Sequence, residues 1–382
     1  MHIYLDNNST TPLHKDVLAF MTESLTLYEN PSSAHSSGMR IRKMIEHARE
    51  HCAALIHAEA DDIIFTSGGT ESNNTVLSYT HVMNLCSRNK SRNEVVVSTI
   101  EHHSVLNCAK ALEKCGVKVH YAPVDSKGNI NLDRYVSLLS EKTALVSIML
   151  VNNEIGTIQD IKKLAVIAHK KGALMHTDAV QAIGKMPVDV KDLDVDYLSY
   201  TGHKFYGPKG TGVLYIKKSV PFTPLHYGGK QEKGRRAGTE NILGIIGIGK
   251  AAEIVKINID RWNEKYSQLK NKLVDGITGS IENVQVNGDQ KNSVPQTMNI
   301  SFIGTEGETV LVYLDNKGIS VSTGAACSSG SISHVLNAIG LDNKTANSAI
   351  RFSLGYHNTE KQIEYTIKEL QKIIPRVRNG IM

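Results

Sequence analysis

Apolar and polar positions follow two alternating patterns between about residues 60 and 216. Short, almost continuously apolar runs are separated by amphipathic stretches such as 106–115 and 162–171. Apolar runs of this kind are typical of parallel strands that helices cover on both faces. We therefore predict strands at 63–66, 94–99, 117–122, 144–151, 173–177, 195–200 and 212–216. The alternation predicts an α/β fold with a mostly parallel, seven-stranded sheet.

The pattern changes after about residue 217. A stretch with several Pro and Gly residues at 221–238 predicts an irregular loop, and a long helix is predicted at 240–275. Shorter elements complete the chain, with strands at 284–286, 297–302 and 349–354 and helices near 306–317, 331–339 and 359–374. We predict a large domain at 13–250 and a smaller α+β domain formed by 1–12 and 251–382.

Composition and charge exclude several classes of protein. Of 382 residues, 41% are apolar and 21% are charged, which is typical of a globular chain with a large core. The net charge of +5 is spread along the chain, so direct nucleic-acid binding is not predicted. No apolar run is long enough to span a membrane, and no secretion signal is found. The 5 cysteines form no CxxC pair, which predicts reduced thiols and a cytoplasmic location.

A turn of small residues follows the first predicted strand of the large sheet. In DIIFTSGGTESNN (62–74), the strand ends at Thr66 and a helix begins near Thr70. Gly69 lets the backbone approach a ligand, and the free N–H groups of a helix start favour an anion. The segment predicts a phosphate-binding turn, although an ordinary strand-to-helix turn with a threonine cap fits equally well. It contains neither the P-loop nor the GxGxxG pattern, so nucleotide binding is weakly supported.

Two later segments lie at the ends of predicted strands and contain residues that suit a ring-shaped cofactor. Asp178 can pair with a cationic ring nitrogen and Gln181 can hydrogen-bond to a ring oxygen, although Asp178 can equally cap the next helix. Lys204 follows an apolar strand in SYTGHKFYGPKGTG (199–212), whereas most lysines are solvated surface groups. A lysine partly withdrawn from water becomes a nucleophile that forms Schiff bases. Together with the phosphate-binding turn, these residues predict a site for pyridoxal 5'-phosphate.

Two residues near the C-terminus are further candidates. Cys327 lies in VSTGAACSSGS (321–331), where small residues predict an exposed loop and a nucleophilic thiol. The other cysteines (52, 86, 108 and 115) lie in helical patterns and are interpreted as inert. Arg351 lies in an apolar strand and needs an anionic partner, which is either a substrate carboxylate or an internal salt bridge.

Two histidine pairs could suggest a metal site. His47 and His51 match the HxxEH pattern on a helix, but no third ligand is in place, so no metal is predicted. His102 and His103 are adjacent and point in different directions. One of them is instead expected to lie over a cofactor ring.

These segments together resemble the cysteine desulfurases of the NifS/IscS type, which belong to fold-type I of the pyridoxal-phosphate enzymes, the aspartate aminotransferase fold. The resemblance covers essentially the whole chain. Its motifs are YLDNNSTTP (4–12), NPSSAHSSG (30–38), TSGGTESNN (66–74), EHHSVLN (101–107), VNNEIGTIQ (151–159), HTDAVQAIGK (176–185), GHKFYGPKGTG (202–212), GRRAGTEN (234–241), STGAACSSGS (322–331) and AIRFSLG (349–355).

The resemblance implies an enzyme that converts L-cysteine to L-alanine and carries the sulfur as a persulfide on Cys327. Lys204 would bind the cofactor covalently, and His102 would stack on its ring and move protons. The other implied cofactor contacts are Gly69, Thr70, Asn153, Asp178, Gln181, Thr201, His203 and Thr239. Arg351 and Asn153 would bind the substrate, and Asn30 would line the mouth of the site.

The resemblance also implies partners. Thr239 would reach the phosphate of the other subunit of a homodimer, and the sulfur would pass to an acceptor protein for iron–sulfur cluster assembly, tRNA thiolation or related sulfur traffic. The stretch from Cys327 to Arg351 is shorter than in IscS-type enzymes, and the tail that holds their scaffold protein is missing after residue 378. The acceptor is therefore left open. The alternatives are a selenocysteine lyase, an aminotransferase, which has no need of Cys327, and a scaffold without catalytic activity.

Overall fold

The computed structural model of the chain describes residues 2–88, 92–323 and 332–380. Within these ranges the helices are α1 (Lys15–Glu23), α2 (Ser36–Ala54), α3 (Gly69–Val76), α4 (Tyr79–Arg88), α5 (His103–Lys114), α6 (Leu132–Leu138), α7 (Ile161–Lys170), α8 (Val190–Leu193), α9 (Ile242–Thr278), α10 (Gly307–Asp315), α11 (His334–Ala338), α12 (Asn343–Asn347) and α13 (Glu360–Arg378). None of these helices is long and apolar enough to cross a membrane.

The strands in the same ranges form three sheets. They are β1 (Ile3–Tyr4), β2 (Ile63–Thr66), β3 (Glu94–Ser98), β4 (Lys118–Ala122), β5 (Thr143–Ser147), β6 (Leu174–Asp178), β7 (Tyr197–Thr201), β8 (Gly212–Ile216), β9 (Val284–Asn287), β10 (Thr297–Phe302), β11 (Ile319–Ser320), β12 (Ser322–Thr323) and β13 (Ala349–Ser353). Single turns of 3₁₀ helix lie at Ala60–Asp62, Gly202–Lys204 and Gln231–Gly234.

The largest sheet contains seven strands among the described residues, in the order β2-β8-β7-β6-β5-β3-β4. Strands β3 to β7 run parallel, whereas β8 is antiparallel to both β2 and β7. The short connection at 202–211 explains this reversal, because a parallel crossover needs a dozen or more residues and usually a helix. The predicted α/β fold with a mostly parallel sheet is confirmed.

Most strand predictions for this sheet are close to the observed bounds, and 63–66 and 212–216 agree with β2 and β8. The prediction at 144–151 is wrong at its end, because β5 stops at Ser147. Residues 148–151 are buried and leave the ladder, although Ile148 N still donates to His176 O over 3.1 Å. Their apolar character reflects burial beneath the edge of the sheet rather than strand pairing.

The C-terminal half of the chain forms a four-stranded antiparallel sheet in the order β12-β13-β10-β9. Helix α9 runs without interruption past residue 250, so the predicted domain division at that position stays a prediction. The N-terminal segment joins this half: β1 pairs with β11, and Asn8 N donates to Ser353 Oγ over 2.9 Å. The sequence does not predict β1, β11, β12 or α12, which contain only 2 to 5 residues each.

Candidate active site

A cavity of about 370 Å³ opens at the carboxyl ends of the parallel strands, where α/β sheets bind ligands. Its walls come from the large sheet, the N-terminal segment and β13. The lining residues are Asn8, Ser9, Gly69, Thr70, Asn73, His102, Ser104, Met149, Asn153, Asp178, Val180, Gln181, Thr201, His203, Lys204 and Arg351. The structure therefore brings together all the predicted site residues except Asn30, Thr239 and Cys327.

One end of the cavity is built from the turn between β2 and α3. Helix α3 begins at Gly69, and the first N–H groups of a helix have no partner within it. A Cβ atom on Gly69 would lie 2.6 Å from Val180 Cγ2, so a side chain there would collide with the opposite wall. A close helix start with free donors suits an anion.

His203 stands beside this anion-binding end. Its Nδ1 atom lies 3.2 Å from Thr10 Oγ1. Burial, together with the neighbouring charges of Lys204 and Lys209, lowers the pKa of His203 to about 4. The imidazole is therefore neutral near pH 7 and contributes a hydrogen bond rather than a positive charge.

The opposite end of the cavity contains the carboxylate of Asp178. Its Oδ2 accepts a hydrogen bond of 2.7 Å from Asn73 Nδ2, and its Oδ1 accepts one of 2.9 Å from Val180 N. The second bond closes a short turn, whereas the next helix, α8, begins at Val190 and is capped by Asp189. The alternative that Asp178 caps the next helix is therefore wrong, and its predicted site role stays a prediction. Asn73 Nδ2 also donates to Ser104 Oγ over 2.9 Å. Sequence reasoning missed Asn73 and Ser104, although both lie inside the quoted motifs.

His102 is the member of the histidine pair that lines the cavity, while the ring of His103 lies 5.0 Å from that of His334. His102 Nδ1 accepts a hydrogen bond of 3.1 Å from Ser104 N. A backbone N–H can only donate, so Nδ1 is unprotonated and any ring proton lies on Nε2. Burial lowers the pKa of His102, although the neighbouring Asp178 acts to raise it. The neutral ring therefore offers an N–H donor at Nε2, while its lone pair at Nδ1 is used by Ser104 N.

Lys204 extends its amine into the cavity from the 3₁₀ turn after β7. Its Nζ atom donates to Asn8 O over 2.6 Å and to Ser9 O over 2.8 Å. Both carbonyl groups belong to the N-terminal segment, which lies about 200 residues away in sequence. Sequence reasoning missed Asn8 and Ser9, because nothing local to Lys204 indicates which segment packs against it.

Arg351 forms the internal salt bridge that the sequence left open as one alternative, and its predicted contact with a substrate carboxylate stays a prediction. It is 4% exposed in the middle of β13, and its Nη2 forms an ion pair of 3.0 Å with Asp6 Oδ1. Nη2 also donates to Ser9 Oγ over 2.8 Å, and Nη1 donates to Asn153 O over 3.1 Å. Nε is buried without a hydrogen-bond partner among the described residues. The guanidinium therefore keeps a donor available although it is paired.

Three predicted site residues lie elsewhere. Asn30 is exposed in the loop before α2, where its side chain accepts a hydrogen bond from Ser32 N. Thr239 lies in a neighbouring depression that also contains Ser67 and Arg236. Cys327 lies outside the described residues. The roles predicted for these three residues stay predictions.

The remaining cysteines and the HxxEH histidines do not form a second site in the described part of the chain. Burial raises the pKa of Cys52 to about 12 and that of Cys108 to about 11, and it also raises that of Cys86. Thiols with a raised pKa are poor nucleophiles at neutral pH. The rings of His47 and His51 pack edge to face, and no group of three or more His, Cys, Asp or Glu residues there could hold a metal.

Glu101, which precedes His102, is fully buried beneath the site. Its Oε1 accepts hydrogen bonds from Ser98 Oγ (2.5 Å) and Met149 N (2.8 Å), while Oε2 has no partner among the described residues. Burial raises the pKa of Glu101 from 4.5 to about 8. The neutral carboxyl contributes its full stability below pH 4.5 and loses it as the pH rises to about 8.

We expect Glu101→Gln to remove this pH dependence. Relative to the wild type, the melting temperature of the variant should rise by about 3–5 °C between about pH 5 and about pH 9. Scanning calorimetry at both pH values measures the difference. Glu50→Gln, at an exposed position, is the control and should leave the pH profile unchanged. Parallel profiles for Glu101→Gln and the wild type would contradict the prediction.

Comparisons with known proteins identify the family of the chain. Residues 3–366 match the family described as aminotransferase class-V. The chain belongs to this family. It is 44% identical over 384 residues to "Cysteine desulfurase IscS" of Clostridium botulinum, with 98% of this chain and 95% of that protein covered. It is 45% identical over 379 residues to "Cysteine desulfurase IscS" of Dictyoglomus turgidum, with the same coverage.

A solved structure supports the same assignment. The protein described as "NIFS-LIKE PROTEIN" superposes with a TM-score of 0.91 at 39% identity, with 98% of this chain and 100% of that chain covered. The resemblance to cysteine desulfurases of the NifS/IscS type and the fold-type I architecture are therefore confirmed. Membership of this family implies the use of pyridoxal phosphate.

Proposed function

We propose that the chain is a cysteine desulfurase that uses pyridoxal phosphate to remove sulfur from L-cysteine, releasing L-alanine. The sulfur passes through a persulfide on Cys327 to an acceptor protein for iron–sulfur cluster assembly, tRNA thiolation or related sulfur traffic. One observation carries the proposal: the cavity of this family member combines an amine, a carboxylate, a neutral imidazole and a guanidinium, on Lys204, Asp178, His102 and Arg351.

The chemistry of the donors fits the phosphate of the cofactor. The start of α3 offers the N–H groups of Gly69 and Thr70, and Thr201 and the neutral His203 stand at the same end of the cavity. Thr239 would contribute from the other subunit of a homodimer. A helix start with hydroxyl neighbours binds a phosphate without needing a full positive charge.

The other end of the cavity fits the ring. The side chain of Asp178 is oriented by a hydrogen bond from Asn73 and can pair with the pyridine nitrogen, while the amide of Gln181 can donate to the ring oxygen. Lys204 Nζ supplies the amine for covalent attachment. When bound, the cofactor supplies an electron sink that stabilises negative charge on the α-carbon of an amino acid.

Arg351 and Asn153 are the proposed contacts of the substrate carboxylate. Guanidinium groups bind carboxylates through paired N–H donors, and Arg351 Nε is a buried donor without a partner among the described residues. Asp6 accepts a hydrogen bond from Nη2 of the same guanidinium and helps to hold its plane in place. The amino acid would then present its α-carbon toward Lys204.

Proton transfer falls to two side chains that line the cavity. The amine of Lys204 is held in the cavity by the carbonyl oxygens of Asn8 and Ser9. The neutral ring of His102 carries its proton on Nε2, because Nδ1 accepts a hydrogen bond from Ser104 N, so Nε2–H is the atom that can donate a proton.

Sulfur transfer is balanced without an external oxidant. The thiolate of Cys327 attacks the sulfur of the substrate, so an S–S bond forms as the C–S bond breaks. The electron pair of the broken bond stays with carbon, which is later protonated to give alanine. The sulfur stays on the protein as a persulfide until a thiol of the acceptor attacks it.

Incubation of the purified protein with pyridoxal phosphate and L-cysteine, without reductant, tests the proposal. We expect alanine to form and the peptide that carries Cys327 to gain the mass of one sulfur atom. The exposed Cys115 in the same digest is the internal control and should stay unmodified. A protein that binds the cofactor but shows no added sulfur and no alanine would contradict the proposed reaction. Faster release of selenium from selenocysteine would favour the lyase alternative.

A further inference from the structure

Lys185 lies behind the candidate active site and is not explained by the proposed reaction. It is 5% exposed, in the turn region after β6, and is absent from the lining of the cavity. No carboxylate among the described residues forms an ion pair with it. Burial lowers its pKa well below the ordinary value for lysine. A buried amine without a charged partner is costly, so its contacts call for a functional explanation.

The amine of Lys185 contacts two side-chain amides. Nζ donates to Asn8 Oδ1 over 2.6 Å and to Gln181 Oε1. Whether protonated or neutral, the amine has at least two N–H donors, so it can donate to both amide oxygens at once. A neutral amine has a single lone pair and cannot accept from both amide nitrogens. With the two oxygens toward Lys185, the amide nitrogens face away from it.

The nitrogen atoms do lie on the other sides of the two amides. Gln181 Nε2 donates to Asn8 O over 3.0 Å, and an amide nitrogen can donate a second hydrogen bond. Asn8 Nδ2 donates to Thr297 Oγ1 over 2.9 Å and to Asn153 O over 3.1 Å. Asn8 O also accepts from Lys204. The amine of Lys185 thus helps to fix the side chains of Asn8 and Gln181, which line the cavity beside Lys204.

We propose that Lys185 is a positioning residue that holds the amide of Gln181 with its N–H, rather than its oxygen, toward the ring oxygen of pyridoxal phosphate. This inference rests on the proposed function, which places that ring beside Gln181. Without the amine, the oxygen of Gln181 loses its donor, and the hydrogen bond from Nε2 to Asn8 O is left to oppose a rotation that would turn this oxygen toward the ring. An amide oxygen repels an ionised ring oxygen, whereas an N–H stabilises it.

Lys185→Met tests the inference, because methionine keeps an unbranched apolar chain and removes the donors. The N–H of Gln181 stabilises negative charge on the ring oxygen, so its loss should move the pH midpoint of the visible absorption band upward. We expect a shift of about one pH unit, the size expected for one hydrogen bond to a charged oxygen. The dissociation constant of the cofactor, titrated into the apoprotein, should rise about tenfold.

Comparison with Gln181 separates positioning from a general structural role. Gln181→Leu should cause the same shift, and Lys185→Met in the Gln181→Leu background should add no further shift. Lys270→Met is the matched control, because Lys270 is partly buried and donates to Ser293 Oγ over 2.9 Å at a distance from the cavity lining. It should leave the midpoint unchanged. Additive shifts of the two site variants, or no shift for Lys185→Met, would overturn the inference.

A second variant covers the case in which Lys185→Met does not fold. Gln181→Glu keeps an oxygen acceptor for Lys185 and gives it a charged partner, but it places an acceptor toward the ring oxygen. The pH midpoint of its visible absorption band should rise by more than the midpoint of Gln181→Leu does. A midpoint equal to that of the wild type would overturn the inference. A wild-type protein that develops no visible band with the cofactor would instead refute the proposed function.

Discussion

Replacement of Lys204 by alanine should lower cysteine desulfuration by about 10³-fold or more. The amine lies inside the cavity, and carbonyl oxygens of the N-terminal segment hold it there. No other lysine is among the described residues that line the cavity, so no second amine can replace it. The variant should also lose the covalent bond between protein and cofactor.

Reduction with borohydride followed by intact mass measurement reports this bond directly. The wild type should retain the mass of the cofactor after denaturation, and Lys204→Ala should not. Lys209→Ala is the matched control, because Lys209 is exposed on the same loop and should behave as the wild type does. Retention of the cofactor mass by Lys204→Ala would show that another residue attaches it.

Replacement of Cys327 by serine should separate cofactor chemistry from sulfur transfer. The variant should bind pyridoxal phosphate normally and change its visible spectrum when L-cysteine is added. Alanine formation should fall by about 10²-fold or more, and no persulfide should form, because a neutral serine hydroxyl is a far weaker nucleophile toward sulfur than a thiolate. Alanine quantification and peptide mass measurement on the same reaction give both results.

Cys115→Ser provides the control for the loss of a thiol. Cys115 is exposed at the end of α5 and is not part of the cavity lining, so this variant should form alanine and persulfide at the wild-type rate. If Cys327→Ser formed alanine at the normal rate, the assigned role of Cys327 would be wrong. Such a result would leave the role of Lys204 intact.

Short-range features of the sequence determined the fold class and many of the site residues. Strands β2 and β8 agree with the predicted bounds, because an apolar run that ends at small or polar residues marks a buried strand locally. Asp178 and Lys204 follow such runs, so their position at the carboxyl edge of the sheet is predictable from neighbours in sequence. The chemical roles expected of these residues came from the motifs that the chain shares with a known family.

Long-range packing decided how the predicted residues are held. Arg351 pairs with Asp6 across 345 positions, and Lys204 contacts Asn8 across 196 positions. His102 lines the cavity, whereas the ring of His103 lies beside that of His334, which is more than 200 residues later. None of these pairings leaves a periodic signal in the sequence.

The sequence by itself determined that this protein is an α/β chain of a pyridoxal-phosphate family, and it singled out Lys204, Asp178, His102 and Arg351 as candidate site residues. Only the tertiary structure decided that the N-terminal segment completes the cavity and that Lys185 lies buried against Gln181. The physical reason is that hydrophobic periodicity and turn residues act over a few positions. Hydrogen bonds between distant segments form only after the sheets have packed and brought those segments into contact.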